Sequence, residues 1–88
     1  MSREYIWLKW RTLKEVASDD PRVLAALRKY HADEVMMGAA TQEDTPAQKD
    51  ALCEMIDAIA ENGGAIINAW TMRPMTAEQA KKYVKEST

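Results

Sequence analysis

Cysteine occurs once in the 88 residues, at Cys53, so no intrachain disulfide can form and packing alone must hold the chain together. That usage fits a reducing, cytoplasmic compartment. Histidine also occurs once, as His31, and phenylalanine is missing altogether. No apolar run approaches the roughly 18 residues of a membrane span, and the first ten residues lack the apolar stretch of a secretory signal. An excess of either charge is absent too. Fourteen acidic and 12 basic side chains give a net charge of −2 and a pI near 5.3, which leaves no overall basic field to drive sequence-independent binding to nucleic acid.

The composition is that of a folded domain, with 47% hydrophobic and 30% charged residues. A chain of 88 residues supports one small core, so a single compact domain over residues 1–88 is expected and a two-domain enzyme is excluded. With three Trp, three Tyr and six Met in place of Phe, much of the large apolar volume comes from side chains with a polar or adaptable end. Such side chains serve cores and binding surfaces alike.

Residues 4–13, Glu-Tyr-Ile-Trp-Leu-Lys-Trp-Arg-Thr-Leu, read as a strand with Ile6, Leu8 and Trp10 on one face and Tyr5, Trp7, Lys9 and Arg11 on the other. A helix would instead group Ile6, Trp10, Leu13 and Ala17, but the density of Tyr, Ile, Trp and Thr favours the strand. Asp20-Pro21 starts a first helix that runs to about Gly38, with Asp20 as N-cap and Pro21 at a position where its missing N–H costs nothing. Its core face is expected to hold Val23, Leu24, Leu27, Tyr30 and Val35, with His31 and Glu34 intruding. A loop over Gly38 to Asp44 then leads to Thr45-Pro46-Ala47-Gln48, which has the form of a capping box. The second helix follows to about Glu61, and Asn62-Gly63-Gly64 stops it. Ala65 to Met72 reads as a second strand, and Thr76-Ala77-Glu78-Gln79 starts a third helix to about Lys85. The expected fold class is α+β, in the order β-α-α-β-α, with a two-stranded antiparallel sheet packed on helices. No internal repeat or linker interrupts it.

Charge is segregated along the chain. Residues 33–61 hold eight acids against Lys49, net −7, while residues 1–32 carry seven bases and four acids, net +3. At about 100° per residue, Asp50, Glu54, Asp57 and Glu61 fall within about 60° of one another on the second helix, opposite Leu52, Met55, Ile56 and Ile59. This acidic ridge is either a solvated helix face or a surface that docks onto a partner with a basic surface. A second candidate is an aromatic and basic face made of Tyr5, Trp7, Lys9 and Arg11 together with Trp70 and Arg73 of the second strand. Indole and cationic groups side by side suit a nucleotide or a protein hot spot. The alternative is that the third helix or a second copy of the chain covers it, and self-association as a dimer is expected.

Catalytic groupings are sparse. His31 beside Glu34 has the chemistry of an acid–base pair, although a core histidine bonded to a carboxylate explains the spacing as well. Cys53 lies at the margin of the acidic side, where carboxylates would blunt its thiol. The carboxylates lack the spacing of a calcium loop and Gly63-Gly64 follows a helix instead of opening one, so no metal, cofactor or phosphate-cradling loop is expected. Lys81, Lys82 and Lys85 share one side of the third helix, opposite Ala80, Tyr83 and Val84.

Tyr5-Ile6-Trp7-Leu8-Lys9-Trp10, Asn68-Ala69-Trp70-Thr71 and Met75-Thr76-Ala77-Glu78-Gln79-Ala80-Lys81 resemble small phage or prophage accessory proteins in general character. The resemblance rests on no diagnostic motif and transfers no site residue. It implies a compact, non-enzymatic protein in the host cytoplasm that blocks a host defence component or sequesters its signal molecule. Three classes follow from the sequence. The first is a protein-binding inhibitor or adaptor, the second an oligomeric binder that sequesters a nucleotide through Trp, Arg and Lys side chains. A hydrolase or transferase is third and needs groups the chain hardly has.

Overall fold

The computed structural model describes residues 4–9, 12–37 and 44–86, and in them the chain forms four strands and three helices. In chain order these are β1 (Tyr5–Lys9), β2 (Thr12–Ala17), α1 (Pro21–Met37), α2 (Pro46–Glu61), β3 (Ala65–Asn68), β4 (Arg73–Met75) and α3 (Ala77–Glu86). The sheet order is β2-β1-β3-β4, antiparallel at both outer pairs and parallel between β1 and β3. The two-stranded antiparallel sheet expected from the sequence is instead a four-stranded mixed sheet, because each expected strand ends early and a further strand, β2 or β4, follows it in the chain.

α2 is the central helix. It packs against α1, α3 and the two inner strands, and it supplies Ala51, Leu52, Met55, Ile56, Ala58 and Ile59 to the core. Ile6, Leu8 and Ile66 meet it from the sheet, Val23, Ala26 and Tyr30 from α1, and Ala80 and Val84 from α3. Leu24, expected in this core, is 38% exposed, whereas Ala26 of the same helix is buried. His31 is likewise exposed instead of intruding on the core. The side chains of Glu34 and Val35 lie outside the described residues, as do Gly38 to Glu43, Trp10 and Arg11.

Helix ends follow the capping rules read from the sequence. Asp20 accepts the Arg22 N–H at 2.7 Å through its side chain and the Leu24 N–H at 3.0 Å through its carbonyl. At α2, the Gln48 N–H donates to Thr45 Oγ1 at 3.1 Å and the Thr45 N–H donates to Gln48 Oε1 at 2.9 Å. Gln48 is itself buried, and its amide donates to the Tyr30 carbonyl at 3.3 Å, tying α1 to the start of α2. Thr76 and Gln79 repeat the reciprocal pair at α3. The α2 stop is a Schellman motif, in which the Gly63 N–H bonds to the Ala60 carbonyl at 3.0 Å and the Gly64 N–H to the Ile59 carbonyl at 2.8 Å. Gly63 has φ +74, the left-handed conformation this motif requires.

The bulge between β1 and β2 sets which side chains reach the core. Trp7 pairs with Glu15 and Leu8 with Leu13, so β2 carries one extra residue, Lys14. Strict alternation from Val16 would turn Leu13 away from the helices. The extra residue instead brings Leu13 back to the core side, where it and Val16 pack against the buried cluster. The strand expected over Ala65 to Met72 stops at Asn68, and β4 begins only beyond that range. Asn68 Oδ1 accepts the Trp70 and Thr71 N–H groups at 2.9 and 3.2 Å, and Met72 takes φ 62, so residues 69–72 turn the chain back into β4.

Gly64 is the tightest joint between α2 and the sheet. A Cβ there would sit 2.4 Å from the Glu4 carbonyl oxygen and 2.7 Å from Ile59 Cγ2. Gly64→Ala is expected to destabilise the fold by about 1–3 kcal/mol through this overlap. Gly63→Asn, at a site asparagine tolerates and with open space around it, is expected to cost less than about 1 kcal/mol. Urea denaturation of the two variants checks the order, which backbone crowding at Gly64 fixes.

Candidate functional site

Alternation along the strands sends Ile6, Leu8, Ile66 and Met75 towards the helices, so their neighbours Tyr5, Trp7, Ile67 and Pro74 belong to the opposite face. Register sets Trp7 beside Ile67 and Ile67 beside Pro74, with Glu15 beside Trp7 on the outer side. The row across the sheet is thus Glu15, Trp7, Ile67, Pro74. Among the described residues no helix covers this face, since α3 joins the same core as α1 and α2. Tyr5 and Trp7 meet edge to face with ring centroids 6.5 Å apart.

An open depression of about 670 Å³ lies on this face at the start of β1 and β3, lined by Glu4, Tyr5, Trp7, Glu15, Ala65 and Ile67 and by the turn Asn62-Gly63-Gly64. The Tyr5 hydroxyl donates to Glu15 Oε1 at 2.7 Å, and this bond, with partial burial and the carboxylate charge, holds the phenol above its ordinary pKa. Glu4 accepts the Ser18 hydroxyl and, at 3.4 Å, the Asp19 N–H.

The aromatic and basic face expected from the sequence is thereby split. Tyr5 and Trp7 share the depression. Trp70, expected on a strand, is in the turn after β3 and 75% exposed, with Met72 of the same turn 64% exposed. Arg73 opens β4 opposite Asn68, and neither Trp70 nor Arg73 lines the depression. Lys9 ends β1, with its side chain outside the described residues, and Arg11 lies outside them entirely. The turn was the feature sequence reasoning missed. Its signals were Asn68, whose side chain caps it, and Pro74, whose missing N–H suits an outer strand.

The acidic ridge runs along α2 between its two neighbouring helices. Glu61 pairs with Arg22 of α1, Glu54 with Lys29 of α1 at 3.8 Å, and Asp57 with Lys81 of α3 at 2.9 Å. Hydrogen bonding to Asp57 and its charge hold the Lys81 ammonium above its ordinary pKa. Asp50 is exposed and makes no ion pair among the described residues. Three of the four carboxylates thus join helices to each other. The N-terminus of α1 is fastened in the same region, where the Asn62 side-chain amide donates to Asp20 Oδ2 at 2.7 Å. That bond, followed by the Arg22 N–H, lowers the Asp20 pKa.

Cys53 is half-buried, and burial is the main reason its thiol pKa is raised, with Asp50 and Asp57 adding to it. His31 makes an edge contact with the Tyr30 ring, centroids 5.7 Å apart. Among the described residues no three His, Cys, Asp or Glu side chains gather as metal ligands, and no helix is long and apolar enough to cross a membrane.

Two outcomes follow. Replacing Asp50, Glu54, Asp57 and Glu61 by their amides is expected to lower the urea midpoint slightly at low salt, with the difference shrinking at about 1 M salt, where the screening length is about 3 Å. An unchanged midpoint at low salt would leave the ion pairs without a structural role. The lowered Asp20 pKa contributes stability that is fully present above the ordinary aspartate range, near pH 3.9, and is lost as pH falls through that range towards the folded value. Asp20→Asn keeps an N-cap and removes the proton, so its stability is expected to fall less steeply than wild type between about pH 5 and 2. Chemical denaturation across that interval checks it.

Comparison of the chain with protein-family models, with curated proteins and with solved structures finds no match, so the site rests on its own geometry.

Proposed function

We propose that the chain is a small non-enzymatic binding protein of the cytoplasm, an inhibitor or adaptor that works by protein–protein contact through the open face of its sheet. The observation that carries this reading is the one-sided packing of the helices, which leaves Trp7, Ile67 and Pro74 as a contiguous row with Tyr5 beside Trp7 along β1. Aromatic side chains at the centre of such a row are the usual anchors of protein interfaces. The acidic ridge supports the reading less, because most of its carboxylates already serve the helix seams. The nucleotide-sequestering alternative draws less support as well, since the depression on this face presents Glu4 and Glu15 and, among the described residues, no lysine or arginine. A second copy of the chain, giving the dimer expected from the sequence, is the competing occupant.

Protein purified from its own host should carry a partner polypeptide in native mass spectrometry. The double variant Trp7→Ser, Ile67→Ser is expected to bind that partner at least about 30-fold more weakly, the scale of losing a central anchor, while Lys82→Ala on α3 retains it. Circular dichroism confirms that the variant is folded. Dimers that dissociate in the same variant would assign the face to self-association, and a bound nucleotide would support the sequestering alternative. Wild-type protein near 10 kDa with nothing bound would overturn the proposal.

A further inference from the structure

Resting on the open-face reading, we infer that the depression at the start of β1 and β3 takes an arginine side chain carried on an apolar segment of the partner protein. Its charged components have one sign. Glu15 contributes a carboxylate, Glu4 adds a second negative charge at the rim with its oxygens held by Ser18 and Asp19, and among the described residues no lysine or arginine lines the site. The turn Asn62-Gly63-Gly64 adds the C-terminal end of α2, the partially negative end of the helix dipole. The backbone offers nothing to an anion: the Gly63 and Gly64 N–H groups bond to α2 carbonyls, and the Ala65 N–H bonds to the Glu4 carbonyl at 3.0 Å. A phosphate or carboxylate entering here would meet like charge and no free donor in that turn.

The aromatic components select among cations. Tyr5 and Trp7 stand at right angles, so one ring presents a face while the other presents an edge. A planar guanidinium can lie on an indole or phenol face and still direct its N–H fork at a carboxylate in the same plane, which a lysine ammonium cannot do. Glu15 is exposed and uses Oε1 for the Tyr5 hydroxyl, which holds the carboxylate next to the rings and leaves Oε2 without a described partner. Beyond the depression the row passes to Ile67 and Pro74, which suits apolar residues flanking the arginine. Aromatic contact of this kind and an exposed carboxylate each contribute modestly, so the arginine sets specificity within a larger apolar interface.

The test is a titration of the full-length ¹⁵N-labelled protein with the capped tripeptide leucine-arginine-valine and its counterpart leucine-glutamate-valine. The arginine peptide is expected to shift the Trp7 indole N–H and the Gly63 and Gly64 amides saturably, at least about fivefold more tightly than the glutamate peptide. Glu15→Gln is expected to reduce that preference about twofold to fivefold, and adding Glu4→Gln to reduce it further. Equal affinity for both peptides, shifts confined to other residues, or no saturable shift with the arginine peptide at about 10 mM would overturn the assignment. The two readings fail separately. If Trp7→Ser, Ile67→Ser loses the partner while the peptides are not distinguished, the open face remains the interface and only its arginine is lost.

Discussion

The fold depends on giving α2 enough apolar surface to bury itself. Six of its residues enter the core, spread over more than a single stripe of the helix, so no one neighbour can cover them. The sheet takes one side and α1 and α3 take the flanks. The helices are thereby drawn to one side of the sheet: with α1 and α3 committed to enclosing α2, no helix among the described residues remains for the other face. The half-buried Tyr5, Trp7 and Ile67 and the exposed Pro74 on the opposite face are the geometric counterpart of that central helix.

The same arrangement turns a charge pattern that is segregated in sequence into one that is mixed in space. The acidic residues of α2 are placed between two helices that carry basic residues, and Arg22, Lys29 and Lys81 reach across to Glu61, Glu54 and Asp57. What reads as a docking ridge on a helical wheel becomes two seams once the neighbours are present. Two of the negative groups that stay clear of these seams, Glu4 and Glu15, come from the stretch of the chain with a net positive charge. Linear charge balance therefore pointed to the helix, whereas the interface proposed above lies on the sheet.

Helix boundaries were legible because their signals are local. Thr45 with Gln48, Thr76 with Gln79, Asp20 with Pro21, and the glycine pair at 63–64 each act within a few residues, and each is used as its chemistry suggests. The strands were less legible. β1 and β2 are separated by Trp10 and Arg11, which carry none of the usual turn chemistry, so the hairpin reads as one run. The turn after β3 is built on the Asn68 side chain and a left-handed Met72, a conformation no residue-type rule assigns to methionine. For the site, period-two alternation correctly sent Tyr5 and Trp7 away from the core. Their separation from Trp70 and Arg73, and the presence of Glu4 and the 62–64 turn beside them, come from the parallel pairing of β1 with β3, a contact between segments nearly 60 residues apart.

The extra residue in β2 has an effect beyond the core. β2 and β4 are the outer strands, and each would offer a row of unsatisfied backbone groups to any extended chain it met. Lys14 interrupts the even spacing of that row on β2, and Pro74 removes a donor from the three residues of β4. Strand-by-strand growth into fibres is hindered at both margins, so a sheet whose flat face no helix among the described residues covers is kept from extending itself edge to edge.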